Sequence, residues 1–356
     1  MTMAALGQML AATYTQCGSF SVAEIPVPEI AADEILIRVR AASICGTDVK
    51  IIRNGHRKLA DRQRIVLGHE FVGTIERIGP RVESYHLGQR VGVAPNAGCG
   101  HCSACIRGRS NYCPAYTAFG IDRDGAHAAF VRVPAQFITQ GNVLSLPDGV
   151  TDAEASLLEP LSCVVNGVRV SRVELGDTVV IYGAGPMGLM HALLCRLSGA
   201  ARLIMVDPQE DRLSQARAFG CDLAINPQNE DVRARLKRET DGQGADVVIT
   251  ACPVPEVQTE AVELLAPFGR LCLFGGLAKQ SGRTPLDANA IHYGNLVVTG
   301  STGGSVEDYR IALRLLAGKR IDLTRVISNV FPLGELAAAY QTAMAGPAGK
   351  VVLVAE

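Results

Sequence analysis

The stretch Thr178–Cys195, TVVIYGAGPMGLMHALLC, decides the fold of the second half of this 356-residue chain. It opens with a run of β-branched and apolar residues, Thr178–Tyr182, which predicts a buried strand, and it continues into an apolar segment, Leu189–Ser198, which predicts a helix. The turn between them has the pattern G-x-G-x-x-G. In that setting the first glycine permits a tight turn, the second lets the backbone approach a pyrophosphate, and the third lets the helix pack on the strand. A turn that only packs a helix on a sheet is the alternative.

An acidic residue downstream extends the prediction to a particular dinucleotide. Asp207 lies 19 residues after Gly188 and ends the next predicted strand, where its carboxylate can accept hydrogen bonds from both ribose hydroxyls and would repel a 2′-phosphate. NAD is therefore favoured over NADP, although Arg212 could instead receive a 2′-phosphate. The predicted cofactor-binding residues are Gly183, Gly185, Pro186, Met187, Gly188, Asp207 and Arg212.

Buried strands alternate with helical segments on either side of Asp207, which is typical of a doubly wound α/β fold with a parallel sheet. The predicted strands are Thr178–Tyr182, Arg202–Val206, Leu223–Ile225, Asp246–Thr250, Arg270–Phe274 and Leu296–Thr299.

The two ends of the chain follow a different pattern. From Tyr14 to Arg90 short alternating segments such as Glu34–Arg40 predict antiparallel strands and a β-rich lobe. Beyond Gly300 the chain predicts helices over Val306–Ala317 and Leu333–Ala345 and a strand over Lys350–Val354. This tail is too small to fold alone, so we expect it to return to the first lobe.

Composition excludes several classes of protein. Apolar residues make up 48% of the chain and charged residues 19%, which argues against disorder, collagen and coiled coil. The 34 basic and 35 acidic residues give a formal net charge of -1, so no cationic field favours nucleic acid or anionic lipid as a partner. The first basic residue is Arg38, and glycines and a proline interrupt the longest apolar run, so we expect a cytoplasmic protein without a signal peptide or a membrane span.

Four of the eleven cysteines are crowded into one loop with the spacing C-x2-C-x2-C-x7-C: Cys99, Cys102, Cys105 and Cys113. Four soft ligands on one loop can close a tetrahedral zinc site with no open position, which would be structural. An iron–sulfur cluster is one alternative, but the last gap is seven residues where the ferredoxin pattern has three. A zinc module for nucleic acid is another, and it lacks a basic surface. Most of the other seven cysteines are expected to be small core residues.

Three dispersed motifs supply a second set of ligands. Cys45 lies in CGTD, the pair His69 and Glu70 in GHEFVG, and Glu159 in LEPL. Each motif alone means little, because a single histidine or cysteine is more often a core residue. Thiolate, imidazole and carboxylate together are the ligand types of a catalytic zinc with one exchangeable position.

Taken together, these motifs resemble the zinc-dependent medium-chain dehydrogenases, particularly the branch that holds sorbitol (polyol) and threonine dehydrogenases, over almost the whole chain. The resemblance rests on Cys45–Asp48, on Gly68–Gly73 with Gly79, and on the four-cysteine loop, Glu159-Pro160, the glycine turn and Asp207. It implies a GroES-like catalytic domain made of residues 1–163 and 301–356, with a Rossmann NAD-binding domain over residues 164–300. It also implies a homo-oligomer, dimer or tetramer, in which Leu296–Ser301 is an edge strand that pairs across a dimer.

The resemblance further assigns roles to residues. Cys45, His69 and Glu159 would line a catalytic zinc, with Glu70 as a direct or exchanging ligand, and the four cysteines would hold a second, structural zinc. Thr47 would pass on the substrate proton. Many relatives carry histidine three residues after this hydroxyl, whereas this chain has Lys50. Lysine would need a lowered pKa to relay protons near neutrality, so Lys50 is expected to contact the cofactor ribose or a polar substrate.

The expected activity is therefore oxidation of a secondary alcohol by NAD, with a polyol or a related polyhydroxylated compound as substrate. Oxidation of L-threonine at carbon 3 is the enzymatic alternative, and it would need a cationic anchor such as Lys50 or Arg53 for the substrate carboxylate. A protein that binds zinc and nucleotide without redox chemistry is the alternative from another class; the intact Thr47 and ligand set argue against it.

Overall fold

The computed structural model describes residues 7–15, 19–59, 64–278, 282–346 and 349–355. The chain divides into two compact units: Met1–Ser162 with Gly304–Glu356 form unit 1, and Cys163–Gly303 form unit 2. Among the described residues, no helix combines the length and the apolar character needed to cross a membrane.

The strands range from two to nine residues in length, and those in the middle of the chain form a parallel series. In chain order they are β1 (Gln8–Thr15), β2 (Phe20–Pro26), β3 (Ile35–Ser43), β4 (Arg64–Val66), β5 (Glu70–Ile78), β6 (Arg90–Val93), β7 (Asn96–Ala97), β8 (Thr117–Ala118), β9 (Phe130–Val133), β10 (Val143–Ser145), β11 (Thr178–Tyr182), β12 (Arg202–Val206), β13 (Leu223–Ile225), β14 (Ala245–Thr250), β15 (Leu265–Leu273), β16 (Val297–Gly300), β17 (Ile327–Pro332) and β18 (Lys350–Val354).

Helices occur in both units and range from four to 14 residues in length. In chain order they are α1 (Gly46–Asn54), α2 (Ser103–Ile106), α3 (Ala135–Thr139), α4 (Asp152–Ala155), α5 (Leu158–Ser171), α6 (Pro186–Leu197), α7 (Glu210–Ala218), α8 (Val232–Glu239), α9 (Pro255–Glu260), α10 (Ala288–Gly294), α11 (Val306–Ala317) and α12 (Leu336–Met344).

Unit 1 is built on a seven-stranded sheet with the order β10-β6-β5-β3-β18-β17, in which β9 also pairs with β3. A separate three-stranded sheet has the order β2-β1-β4. Strand β3 is buried on both faces over much of its length: Ile35 and Ile37 enter one apolar cluster, and Leu36 enters another. The predicted β-rich lobe is confirmed.

The C-terminal tail belongs to unit 1. Strand β18 pairs antiparallel with β3, with Val352 opposite Ser43, and parallel with β17. Helix α12 packs against β18, and its Tyr340 is fully buried in a cluster with Ile44 and Leu353. The tail therefore brings Lys350, the first residue of β18, close to the end of β3.

Unit 2 contains a six-stranded parallel sheet with the order β13-β12-β11-β14-β15-β16. Its central strands are buried on both faces, as the continuous apolar runs predict. The chain moves outward from β11 first to β12 and then, on the other side, to β14, so the strand order reverses at the carboxyl end of β11. The glycine turn lies there, and the predicted α/β fold is confirmed.

Candidate metal centre and dinucleotide turn

Pairing between β3 and β5 brings two of the three dispersed motifs of unit 1 together, those of Cys45 and of His69 and Glu70. Ser43, the last residue of β3, lies opposite Glu70, the first residue of β5. The chain leaves β3 through Cys45, which is the N-cap of α1, and enters β5 through His69. One strand end and one strand start therefore supply a thiol, an imidazole and a carboxylate side by side.

The three side chains form a compact group. Cys45, His69 and Glu70 each offer one possible ligand atom, and these atoms lie within 4.8 Å of one another. His69 Nδ1 and Glu70 Oε1 are buried and have no hydrogen-bond partner among the described residues. A buried carboxylate oxygen without a partner is costly, and a bound cation would satisfy it.

The electrostatics of this group also favour a cation. Burial lowers the pKa of His69, but the negative charges of Cys45 and Asp48 outweigh burial and hold this pKa well above its usual value. Glu159, in the first turn of α5, contributes in the same direction. It is buried and lies near the centre, but it is outside the group of three whose ligand atoms are within 4.8 Å. The residues present therefore fit a divalent metal, with Glu70 in the inner group and Glu159 beside it.

Asp48 supports the centre, although no role for it was predicted from the sequence. It is completely buried; its Oδ2 accepts the Cys45 N–H at 2.9 Å, and its Oδ1 accepts the Gly68 N–H at 3.4 Å and lies 3.6 Å from His69 Nδ1. One carboxylate thus ties the loop that carries Cys45 to the loop that carries His69. Its place at the third residue of α1, where an acidic side chain completes a capping box, is the signal that could have revealed it.

Lys350 is a second residue that sequence reasoning missed. Its Nζ donates to Glu70 Oε2 and to the Ile44 carbonyl oxygen at 3.0 Å, while Ser43 Oγ donates to the same Glu70 oxygen. Burial lowers the pKa of Lys350, but the charges of Glu70 and Cys45 raise it above its usual value, so this lysine is a cation. No local pattern links residues 280 positions apart.

A neutral histidine, His127, lies next to the end of β3. His127 Nε2 is 3.2 Å from the Ser43 carbonyl oxygen, which can only accept, so Nε2 carries the proton and Nδ1 accepts from Tyr340 Oη at 2.6 Å. Burial lowers the pKa of His127, which keeps it neutral. Gly68 has φ +96°, and a Cβ there would lie 2.5 Å from His127 Cδ2, so only glycine fits before His69.

The remaining predicted residues of α1 differ in exposure. Thr47 is half-buried two residues after Cys45, whereas Lys50 is exposed one helical turn further on. Arg53 donates to the Met344 carbonyl oxygen at 2.9 Å, and His56 Nδ1 accepts the Lys58 N–H at 3.3 Å. Of the two candidate anchors for a carboxylate, Arg53 is thus engaged with the last turn of α12.

The four-cysteine loop forms the other compact group. The sulfurs of Cys99, Cys102, Cys105 and Cys113 lie within 4.8 Å of one another, and tetrahedral Zn–S bonds of about 2.3 Å would place them about 3.8 Å apart. Hydrogen bonds from the backbone N–H groups of His101 and Cys102 lower the pKa of Cys99 to about 6, whereas burial raises the pKa of Cys105 to about 12. Cys99 is therefore the sulfur that most readily becomes a thiolate. The His101 side chain, between two of the cysteines, is exposed.

The other cysteines are less buried than predicted. Only Cys195 and Cys272 are core residues among those described outside the loop; Cys45, Cys163, Cys221 and Cys252 are half-buried, and Cys17 lies outside the described residues. Apolar neighbours in the sequence did not guarantee burial, because several of these cysteines lie at the ends of strands and helices.

In unit 2 each glycine of the turn has its own physical reason. Gly183 has φ +98°, and a Cβ on Gly188 would lie 1.8 Å from the Gly183 carbonyl oxygen. Gly185 is the N-cap of α6, and a Cβ there would have Arg212 Nη1 at 3.9 Å as its nearest contact among the described residues, so packing alone does not require glycine. A requirement for close approach by a ligand would explain it. Pro186 and Met187 are half-buried in the first turn of α6.

Asp207 follows β12 and is held by the backbone around the turn. Its Oδ2 accepts the Ala184 N–H and its Oδ1 accepts the Gln209 N–H, both at 2.9 Å. Arg212 Nη1 lies 3.7 Å from Asp207 Oδ2, so these two charges partly compensate each other. The carboxylate is thus in a fixed position at the switch point of the sheet.

Comparison with known proteins agrees with this arrangement. Residues 31–148 match the family described as alcohol dehydrogenase GroES-like domain, and residues 186–318 match the family described as zinc-binding dehydrogenase. The chain is 34% identical over 331 residues to an L-threonine 3-dehydrogenase of Caldanaerobacter subterraneus, which covers 92% of this chain and 93% of that protein.

Solved structures are similar over nearly the whole chain. A zinc-binding dehydrogenase of Sinorhizobium meliloti 1021 bound to NADP has a TM-score of 0.88 and 30% identity, covering 98% of this chain and 99% of that one. An alcohol dehydrogenase of E. coli CFT073 complexed with NADH has a TM-score of 0.87 and 28% identity at 98% and 99% coverage. Galactitol-1-phosphate dehydrogenase of Escherichia coli has a TM-score of 0.85 and 25% identity at 97% and 99% coverage. The chain belongs to the zinc-dependent medium-chain dehydrogenases, a family of alcohol oxidoreductases.

Proposed function

We propose that this protein oxidises a secondary alcohol with NAD, using one zinc held by Cys45, His69 and Glu70 with Glu159 nearby, and a second, structural zinc in the four-cysteine loop. The observation that carries the proposal is the group of thiol, imidazole and carboxylate within 4.8 Å, in which one Glu70 oxygen has no hydrogen-bond partner in the part of the chain that the structure describes. A closed four-sulfur site and an open three-ligand site are the two arrangements that proteins use for structural and catalytic zinc.

Bound zinc would act as a Lewis acid that makes an alcohol hydroxyl easier to deprotonate. The chain's own residues then provide the other functions. Asp48 orients Cys45 and His69 through the contacts described above. Thr47 Oγ1, two residues after Cys45, would accept the proton of the substrate hydroxyl while its own hydroxyl proton passes toward solvent. The glycine turn and Asp207 would hold the dinucleotide that receives the hydride. Lys50, exposed one turn after Thr47, is the candidate for a contact with the cofactor ribose or a polar substrate.

NAD rather than NADP is proposed because the fixed Asp207 carboxylate would repel a 2′-phosphate. Arg212 lies within 3.7 Å of that carboxylate, so it would first have to exchange partners before it could bind a phosphate. One related structure is bound to NADP and another is complexed with NADH. The test of this proposal is therefore to measure turnover of this protein with NAD and with NADP.

A polyol or a related polyhydroxylated compound is the proposed substrate, in line with the similarity to galactitol-1-phosphate dehydrogenase. L-Threonine is the second candidate, favoured by the name of the 34% identical relative. Arg53 already binds a backbone carbonyl group, which leaves Lys50 as the more available candidate for the threonine carboxylate.

A homo-oligomer in the cytoplasm is proposed as the setting. Strand β16 ends the order of the described six-stranded sheet, so it can pair with a second copy of the chain. Cysteine ligands must remain reduced to bind zinc, which a cytoplasmic environment provides.

The test combines metal content with turnover. The purified protein should contain two zinc ions per chain and reduce NAD with a polyol, a cyclitol, a sugar-alcohol phosphate or L-threonine. Cys45→Ala should lose one zinc and its turnover while binding NAD as before, because the glycine turn is in the other unit. Full zinc loading without turnover of any of these alcohols would instead support a zinc- and nucleotide-binding protein without redox chemistry.

A further inference from the structure

Lys350 places a buried positive charge beside the proposed metal ligands. It is 6% exposed, and its Nζ donates to Glu70 Oε2 and to the Ile44 carbonyl oxygen. Cys45 and Glu159 also act on it electrostatically. A cation in this position repels a second cation, so its presence next to a metal centre requires a reason.

The two oxygens of Glu70 have different surroundings. Oε2 receives both Lys350 Nζ and Ser43 Oγ, whereas Oε1 has no partner among the described residues. A carboxylate whose only purpose was to pair with a buried lysine would satisfy both oxygens within the protein. The observed division instead ties one oxygen to the protein and leaves the other available to a metal.

This division affects how firmly Glu70 can hold a metal. A carboxylate shared between an ammonium group and a metal ion is attracted less strongly by each than it would be alone. When Glu70 leaves the metal, Lys350 remains as its partner, so the released carboxylate does not become an unpaired buried charge. The lysine therefore lowers the cost of releasing Glu70.

We propose that Lys350 makes Glu70 a displaceable metal ligand, by holding Oε2 and competing with the metal for the carboxylate charge. Lys350 acts through Glu70 and is a positioning residue. This inference rests on the proposed zinc at Cys45, His69 and Glu70.

The experiment compares Lys350→Met with Lys350→Arg, which retains the charge. Lys58→Met is a matched control, because Lys58 Nζ also bonds a backbone carbonyl oxygen, of Tyr116 at 2.7 Å, and a carboxylate, of Asp122 at 2.9 Å. Two quantities are measured for each protein: the rate at which zinc passes to a chromogenic chelator, and the affinity of imidazole for the cobalt-substituted protein followed by visible absorption. The two proposed sites should release their zinc in separate phases. The phase that is missing in Cys45→Ala is the release from Cys45, His69 and Glu70.

Lys350→Met should release this zinc about tenfold more slowly and bind imidazole about tenfold more weakly, because Glu70 stays on the metal. Lys350→Arg and Lys58→Met should resemble the unchanged protein. Equal or faster release from Lys350→Met overturns the inference. If that variant does not fold, Ser43→Ala removes the other donor from the same oxygen, and here too slower release supports the inference and equal or faster release overturns it. If the protein without any substitution holds no zinc at Cys45, the proposed function itself is contradicted.

Discussion

At the scale of single residues, His191 shows how burial alone can make a side chain sensitive to pH. It lies in α6, is fully buried, and neither ring nitrogen has a hydrogen-bond partner among the described residues. Its ring meets the Phe274 ring edge to face at 4.5 Å, and Gly167 leaves room for it, because a Cβ there would lie 2.7 Å from His191 Cε1. Burial lowers the pKa of His191 to about 3.

His191 should therefore destabilise the protein in acid. A folded-state pKa below the unfolded value of 6.5 means that stability is complete above pH 6.5 and falls as the pH drops below it. At pH 5 the loss amounts to about 2 kcal/mol relative to pH 8. Between pH 8 and pH 5, the free energy of unfolding of His191→Leu should fall by about 2 kcal/mol less than that of the protein without substitutions. Urea unfolding at the two pH values measures this. His101→Leu, at an exposed position, is the control; equal pH dependence of all three proteins would contradict this explanation.

Asp207 supports a prediction about cofactor choice. Its carboxylate can bind the ribose hydroxyls of NAD and opposes a 2′-phosphate. Hydrogen bonds to a charged group contribute about 1.5–3 kcal/mol, so Asp207→Ser should reduce kcat/KM for NAD by about 10- to 100-fold and raise it for NADP. Steady-state kinetics with both cofactors checks this. An unchanged NAD-to-NADP ratio would show that Asp207 does not select the cofactor.

At the scale of elements, local signals predicted some boundaries and missed others. Helix α11 has the predicted bounds, because a capping box formed by Ser305 and Asp308 precedes an apolar face. The segment predicted as a helix over Leu333–Ala345 instead begins with a 3-10 turn, and α12 starts at Leu336. Strand β15 begins at Leu265, five residues before its predicted start at Arg270. Its first part also pairs with β14, but an irregularity between Leu265 and Arg270 shifts the register of the two strands.

That irregularity contains Phe268, which has φ +66° and is 69% exposed. A left-handed conformation costs an L-residue with a side chain about 1–2 kcal/mol, and an exposed ring recovers little of this through packing. We expect Phe268→Gly to stabilise unit 2 by about 1 kcal/mol in chemical unfolding. Phe268→Ala retains a Cβ and should gain much less. Equal stability of the glycine and alanine variants would show that backbone conformation is not the cause.

At the scale of the whole molecule, the sequence predicted the family and both ligand groups because residue types and spacings carry that information. It did not predict the contacts of Lys350 with Glu70, or of Tyr340 with His127, because these depend on how β18 and α12 pack against the first part of the chain. Nor did spacing distinguish Glu70 from Glu159, since only the pairing of β3 with β5 brings Glu70 into the group with Cys45 and His69.

The most direct measurement is anomalous X-ray diffraction at the zinc edge from crystals of the purified protein. We predict one peak bounded by Cys45 Sγ, the His69 imidazole and a Glu70 oxygen, and a second among the four loop sulfurs. Zinc in the four-cysteine loop alone, with none at Cys45, His69 and Glu70 in fully loaded protein, would contradict the assignment of this centre.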